Sequence, residues 1–321
     1  MSNLYIFTNH GQISKQNEHL LYKDSEGSVT RIRPVQTNMI ALYGNISLTA
    51  EAITVLAKNQ IPISMKRHDG KNVSLWYGNQ NNVFLRLMQY RIWDDEEKSV
   101  GIAKSIVEGK IKNQLTFMQR IKRTSESEEE LSRAVEKMKE IRDDVLTCRY
   151  MKSLRGLEGM ASRVYFSVFK RNVFPEWAEF ESRSKRPPLS NVNAVLSFLY
   201  SLLLDEMTFI IESYGLDSMV GTLHELSYSR NSLSCDLIEE FRTPVAETIC
   251  CRLFNKRILY EDEFEERDGG IFMTREGMKK VVAAFEERMI GKYREIIFRQ
   301  VEHYKDTIEG KLEKYEPFYF K

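Results

Sequence analysis

The sequence has little of what would settle its class at a glance. Its 321 residues hold four cysteines, Cys148, Cys235, Cys250 and Cys251. None forms a C-x-x-C pair, so nothing reads as a zinc ribbon or dithiol redox motif, and adjacent Cys250 and Cys251 would point apart on a helix. The pattern suits free, buried thiols in a reducing compartment. Excess charge is also missing: 47 Lys and Arg stand against 46 Asp and Glu, a formal net charge of +1. A nucleic-acid partner therefore cannot be argued from global charge and needs a local basic surface. Long uncharged apolar runs are absent too. The most apolar stretch, 195–211, is interrupted by Ser197, Ser201, Asp205 and Glu206 and reads as a buried helix, not a membrane span. The N-terminus turns polar by Thr8 and Asn9, unlike a secretion signal. The expectation is a soluble, cytoplasmic protein with no membrane partner. There is no internal repeat and no low-complexity tract, and no Ser–His–Asp order demands a protein nucleophile.

What is present falls into two parts, as the length suggests. Hydrophobic residues make up 42%, enough for a real core. Residues 1 to about 77 are β-rich. Short strand-forming runs at 4–7, 19–22, 29–33, 39–43 and 61–65 are separated by the turn signals Asn9-His-Gly, Asp24-Ser-Glu-Gly and Asp69-Gly-Lys-Asn. One helix interrupts them, with Ser47 as its cap and Ala50, Ile53, Thr54, Leu56 and Ala57 as its packed face. Residues 78–83 read as a linker. Helical patterns then dominate at 85–93, 98–121, from about Ser125, and at 189–214, 236–259 and 274–309, the last capped by Thr274 after a Gly269-Gly270 turn. The acidic run 126–130 sits where a helix N-terminus favours negative charge and needs no further role. The expected fold class is α+β: a small N-terminal β-rich domain, 1–83, followed by a larger all-α domain, 84–321.

Three features of the helical part carry chemistry. In Asp236-Leu-Ile-Glu-Glu-Phe-Arg, Asp236 and Glu239 share a helix face, where two carboxylates repel unless a cation lies between them. Such a pair is ordinarily a solvated face. His224 follows Gly221-Thr-Leu, just before this helix, and a lone histidine is ordinarily structural. Glu158 lies between Gly156 and Gly159 at the expected start of a helix, with Ala161, Ser162 and Tyr165 on its face.

Together these segments carry a resemblance. Gly156-Leu-Glu-Gly-x-Ala-x-x-x-Tyr-Phe, Arg183-Ser-Lys-Arg-Pro-Pro-x-x-x-x-Asn193-Ala-x-Leu-Ser-Phe, His224, and Arg230-Asn-Ser-Leu-x-x-Asp236-Leu-x-Glu239-Glu-Phe-Arg occur in that order. The tail Asp268-Gly-Gly-Ile-Phe-Met-Thr-x-Glu-Gly follows. The set resembles the universal CRISPR adaptation integrase, the endonuclease that inserts new spacers, over nearly the whole chain. The resemblance implies that Glu158, His224 and Glu239 hold a divalent metal, Mg²⁺ or Mn²⁺, with Asp236 as an additional acidic residue of the site. Ser234-Cys235 departs from the Ala-Leu common in the family, which should alter packing and leave the ligands alone.

The implied reaction is attack of a DNA 3′-hydroxyl on a phosphodiester, or hydrolysis if water attacks instead. The expected basic surface is Arg183, Lys185 and Arg186, held extended by Pro187-Pro188, with Arg163, Lys170, Arg171, Arg230 and Arg242 as further candidates. Tyr165 is a candidate to stack on a base or orient a phosphate, with ordinary packing as the alternative. Implied partners are double-stranded and branched DNA, a second copy paired through the β domain, and the small adaptation protein, a ferredoxin-like dimer. Two competing readings remain open here. One is a catalytically inactive DNA-binding scaffold of the same fold, against which the presence of every ligand counts. The other is a transposon-type integrase, for whose additional C-terminal DNA-binding elements Pro317-Phe-Tyr-Phe-Lys leaves little room.

Overall fold

A computed structural model describes residues 2–66, 72–76, 82–122, 128–169, 175, 177, 178, 180–228 and 230–320. Its contacts divide the chain into two units, Met1–Gln80 and Asn81–Lys321, against the expected division after residue 83. The expected turn at Asp69, the linker core, the Ser125 helix start, and Lys170 and Arg171 lie outside the described residues.

In the N-terminal unit the strand-forming runs become β1 (Ser2–Gln16), β2 (His19–Asp24), β3 (Val29–Ile32), β4 (Thr37–Leu48), β5 (Ile63–Lys66) and β6 (Asn72–Trp76). They build one mixed sheet in the order β3-β2-β1-β4-β5-β6, with β1–β4 and β4–β5 parallel. Helix α1 (Ala50–Lys58) makes the crossover between β4 and β5, burying Ala52 and Leu56 against Ile6, Ile13, Ile40 and Ile63. Its cap is Thr49, which accepts from Ala52 N, and not the expected Ser47. Ser47 is still in β4, paired with Gln12, so the strand ladder delays the helix. The expected Asn9-His-Gly turn is likewise absent. β1 runs straight through it, and the register shifts from Phe7↔Tyr43 to His10↔Asn45, one extra residue on β1. Gly11 is needed there because a Cβ would come within 2.7 Å of the Tyr22 ring. The Asp24 turn is as expected: Asp24 Oδ1 accepts from Glu26 N and Ser28 N, and Gly27 takes φ +88°.

The second unit is built from α2 (Val83–Asp94), α3 (Glu96–Lys122), α4 (Glu128–Thr147), α5 (Met151–Phe169), α6 (Asn191–Ser213), α7 (Ser232–Phe241), α8 (Thr248–Asn255), α9 (Arg275–Arg288) and α10 (Arg294–Ile308). The expected glycine turn is the bend of a hairpin, β7 (Phe264–Arg267) and β8 (Gly270–Met273), so this unit is not purely helical. Thr274 caps α9 as expected, accepting from Gly277 N. Helix α6 is apolar on nearly every face because it is the central helix, packed against α7, α8, α10 and β8. Among the described residues it is the one helix long and apolar enough to cross a membrane, and 78% of that window is buried inside the fold. Its two glutamates are paired within the unit: Glu206 with Arg294 at 2.6 Å, and Glu212 with Arg86 at 3.0 Å.

The expected single helix 236–259 is broken into α7 and α8 by a wider π turn, Arg242–Glu247. Pro244 is the physical reason: it has no N–H for the Glu240 carbonyl and its ring crowds that carbonyl. The freed carbonyl accepts from Asn113 Nδ2 of α3 at 2.8 Å. The same amide donates to Phe318 O and accepts from Phe320 N, so the C-terminal segment is laid along α3. Glu240 completes the strap. Its buried carboxyl accepts from the Tyr315 hydroxyl at 2.5 Å and from Phe318 N at 2.6 Å.

Candidate active site

Four segments bring charged side chains together in the second unit: Lys110 from α3, Glu158 from α5, His224 from the α6–α7 loop, and Asp236, Glu239 and Arg242 from α7 and the π turn. The loop is built on Asp236. This carboxylate is fully buried; Oδ2 accepts from Thr222 N at 2.7 Å and Leu223 N at 2.9 Å, and Oδ1 accepts from His224 N at 3.0 Å. Oδ1 also lies 2.6 Å from His224 Nδ1. A carboxylate oxygen only accepts, so Nδ1 of the neutral imidazole carries the proton and donates to Oδ1, which leaves Nε2 with its lone pair. Gly221 makes the wrap possible. A Cβ there would lie 2.7 Å from Leu233 N and 2.8 Å from Ser232 C. Arg155 of α5 secures the other side, donating to Leu223 O at 2.6 Å and pairing with Glu225.

Glu158 lies well inside α5 and not at a helix start as expected; the helix already begins at Met151 and tolerates both glycines. A Cβ on Gly156 or Gly159 would meet no atom within 4 Å, so the glycines border open space beside Glu158. Ser162 donates to Glu158 Oε1 at 3.0 Å. The same oxygen is in contact with the Lys110 ammonium, which also stands 2.8 Å from Glu239 Oε2. Lys110 lies among the buried residues of α3, beside Ile106, Val107, Asn113 and Gln114. Burial works against its charge, but the Glu239 and Glu158 carboxylates outweigh it and raise its pKa.

Glu239 is 4% exposed. Its Oε1 pairs with Arg242 at 3.0 Å, while its buried Oε2 has the Lys110 ion pair but accepts no hydrogen bond. Burial disfavours the carboxylate, yet Arg242, Lys110 and His224 overcome this and bring its pKa from 4.5 down to about 2. Among the described residues, no three His, Cys, Asp or Glu side chains stand already converged on a cation position. Glu158 and Glu239 meet through Lys110, and His224 is held to Asp236.

The expected DNA-contacting residues separate. Arg163, Lys185, Arg186 and Arg230 are exposed. Lys185 is open to solvent at its surface, and partial desolvation, then Arg242 and Arg183, hold its ammonium below its ordinary pKa against an opposing pull from Glu239. Arg183 is occupied with architecture. It donates to Asn193 Oδ1 and Ser197 Oγ, and Asn193 also fastens Ser182 and Ser184, so the Arg-Ser-Lys-Arg segment is pinned to the start of α6. Tyr165 is a correction: it is fully buried and donates to Glu247 Oε2 at 2.6 Å, so it cannot stack on a base. Glu247 also accepts from Tyr200 at 2.7 Å, and the Tyr200 ring lies 4.6 Å from Arg242 and 5.3 Å from Arg183. This support under Arg242, and Lys110 itself, were not legible as site residues. The available signal was a lysine at helical spacing from Ile106 on an otherwise apolar stripe.

The sequence profile of the family described as CRISPR associated protein Cas1 matches residues 4–287. The CRISPR-associated endonuclease Cas1 1 of Moorella thermoacetica is 31% identical over 296 residues, which cover 90% of this chain and 86% of the relative. Among solved structures, a Cas1 protein from Thermotoga maritima matches with a TM-score of 0.86 at 24% identity over 99% of both chains. A casposase bound to integration product has the same TM-score of 0.86 at 24% identity, over 98% of this chain and 93% of its own. At that identity the two structural matches speak for the fold, and the profile and the curated relative speak for the family. The chain belongs to the CRISPR-associated Cas1 family.

Proposed function

We propose that this chain is a divalent-metal-dependent DNA endonuclease and integrase of CRISPR adaptation, with Glu158, His224 and Glu239 as ligands of Mg²⁺ or Mn²⁺. The observation that carries the reading is the His224–Asp236 pair. A buried carboxylate that accepts Nδ1–H fixes the imidazole in the one tautomer whose Nε2 can ligate, and Glu239, one turn on from Asp236 in α7, has its buried Oε2 held by the Lys110 ion pair. The donor set fits: two hard carboxylates with one imidazole suit Mn²⁺ or Mg²⁺. When bound, the cation would neutralise charge on the phosphodiester under attack and on the oxygen that leaves.

The chain's own residues account for the rest. Glu239, with its pKa near 2, is ionised at any physiological pH and needs no deprotonation before it ligates. Arg242, braced by Glu239 and the Tyr200 ring, supplies fixed positive charge where a phosphate would approach. Lys185, Arg186, Arg163 and Arg230 would hold DNA phosphates and set the salt dependence of binding. Space beside Gly156 and Gly159 gives a backbone room to reach Glu158. In the reaction a DNA 3′-hydroxyl gives up its proton and bonds to phosphorus while the bond to the departing 3′ oxygen breaks. That oxygen then takes a proton, and the count of phosphodiesters is unchanged. Water in place of the hydroxyl gives strand cleavage, the activity in the name of the Moorella relative. The casposase, named as bound to integration product, supports the strand-transfer form. The same reading implies a homodimer paired through the β-rich unit, acting on double-stranded and branched DNA with the small adaptation protein.

The test is strand transfer on a branched DNA that mimics a half-integrated spacer, with Mn²⁺, Mg²⁺ or chelator, beside His224→Ala. Metal-dependent joining that His224→Ala abolishes while DNA binding persists is the expected result. Wild-type protein that binds the DNA but joins and cuts nothing with either metal, with or without the small partner, refutes the proposal.

A further inference from the structure

Lys110 sits where the proposed ligands would have to converge. It comes from α3, whereas the carboxylates it joins come from α5 and α7. With Arg242 on Glu239 Oε1, the Glu158 and Glu239 carboxylates already face two cations, while Asp236 is engaged with His224. A divalent cation entering between Glu158 and Glu239 meets the Lys110 ammonium on the very oxygens it needs. Two positive groups cannot share those lone pairs in a buried setting, where charge repulsion is poorly screened. A flexible four-carbon stem lets the ammonium leave without moving the helix. Its departure needs a new anion, and a DNA phosphate beside Arg242, which stands on the same Glu239 carboxylate, is one.

We propose that Lys110 is a built-in competitor for the divalent cation. It closes the carboxylate pair in the free protein and releases it when a DNA phosphate takes over its charge, so that metal and DNA bind cooperatively. This rests on the metal site proposed above. Because binding linkage is reciprocal, DNA must tighten metal binding by the factor by which metal tightens DNA binding.

The experiment is Mn²⁺ titration of the full chain, read from the electron paramagnetic resonance signal of free Mn²⁺, with and without branched DNA. Wild type, Lys110→Met and Lys110→Arg are compared, and Glu239→Gln is placed in the wild-type and Lys110→Met backgrounds. Lys110→Met is expected to bind Mn²⁺ without DNA on the order of tenfold more tightly than wild type, within the usual range of coupling between sites. DNA should tighten Mn²⁺ binding in wild type and in Lys110→Arg, and much less in Lys110→Met. Equal or weaker Mn²⁺ binding by folded Lys110→Met overturns the proposal. Should that variant fail to fold, wild-type Mn²⁺ affinity unchanged by DNA overturns it equally. If Glu239→Gln leaves Mn²⁺ binding intact in both backgrounds, the metal site itself is misplaced and both readings fall, an outcome distinct from the loss of competition alone.

Discussion

Asp236→Asn changes one atom of the cluster and tests how the imidazole is set. The wild-type carboxylate accepts four hydrogen bonds, from three backbone N–H groups and from His224 Nδ1. An asparagine can keep its oxygen toward Thr222 N and Leu223 N, but its amide nitrogen then faces His224 N and Nδ1. Neither donor retains an acceptor. The ring relieves the conflict by moving its proton to Nε2, and the nitrogen proposed to ligate loses its lone pair. Of two charge-assisted bonds, each worth about 1.5–3 kcal/mol, one is lost and the other becomes a neutral bond at the cost of the wrong tautomer, for a total of roughly 3–5 kcal/mol. In a unit of this size that lowers Tm by about 10 °C. Nitrogen-15 NMR of the imidazoles reads the tautomer directly, and with only five histidines in the chain a His224→Gln spectrum assigns the signal. Differential scanning calorimetry gives the stability, and Mn²⁺ titration gives the ligand. A folded Asp236→Asn protein that keeps the Nδ1–H tautomer, or binds Mn²⁺ as wild type does, refutes the assignment of Asp236 as the residue that orients His224.

Two further tests concern the frame around the site. Burial raises the Glu240 carboxyl from 4.5 to about 8, against the opposing bonds from Tyr315 and Phe318. Between these values the folded state keeps a proton that the unfolded chain has released, so stability falls as pH rises from 4.5 towards 8. Denaturant unfolding of wild type and Glu240→Gln at several pH values should show the wild type losing on the order of 3–5 kcal/mol relative to the variant across that window; parallel curves would contradict the buried neutral carboxyl. Gly221→Ala forces a Cβ against Leu233 N and the Asp236 carboxylate. Displacing His224 should cost about 1–3 kcal/mol of stability and most of the Mn²⁺ affinity; a variant that matches wild type in both removes Gly221 from the account of the loop.

The sequence was most informative where one periodicity governed a whole element. Helix α3 follows from apolar spacing, because its neighbours pack on the face that the spacing marks, and α6 from an apolar run that its central position buries on nearly every side. Local signals failed where a long-range contact outweighed them. Asn9-His-Gly has turn chemistry, yet pairing with β4 on both sides carries the strand through it with a bulge. Ser47 is a good cap, but the same ladder holds it in β4. Tyr165 shares a helix face with Glu158, and its burial follows from Glu247, which is distant in sequence. The acidic and imidazole members of the proposed site stood out through ordered motifs. Lys110 was not, since a lysine in a helix ordinarily reaches water, and only the fold sets two carboxylates from other helices around it.

The Asn113–Pro244 relation carries a consequence for descent. Pro244 deprives the Glu240 carbonyl of its donor, and Asn113 supplies one from another helix. Exchange of the proline for alanine would restore the backbone donor and relieve the amide of one of its three bonds. Exchange of Asn113 first would strand a buried carbonyl beside the residue that neighbours Glu239. Selection therefore tolerates the two losses in one order more readily than the other: proline before asparagine. Lineages of this family that have dropped the asparagine should be those whose helix had already closed up at the proline.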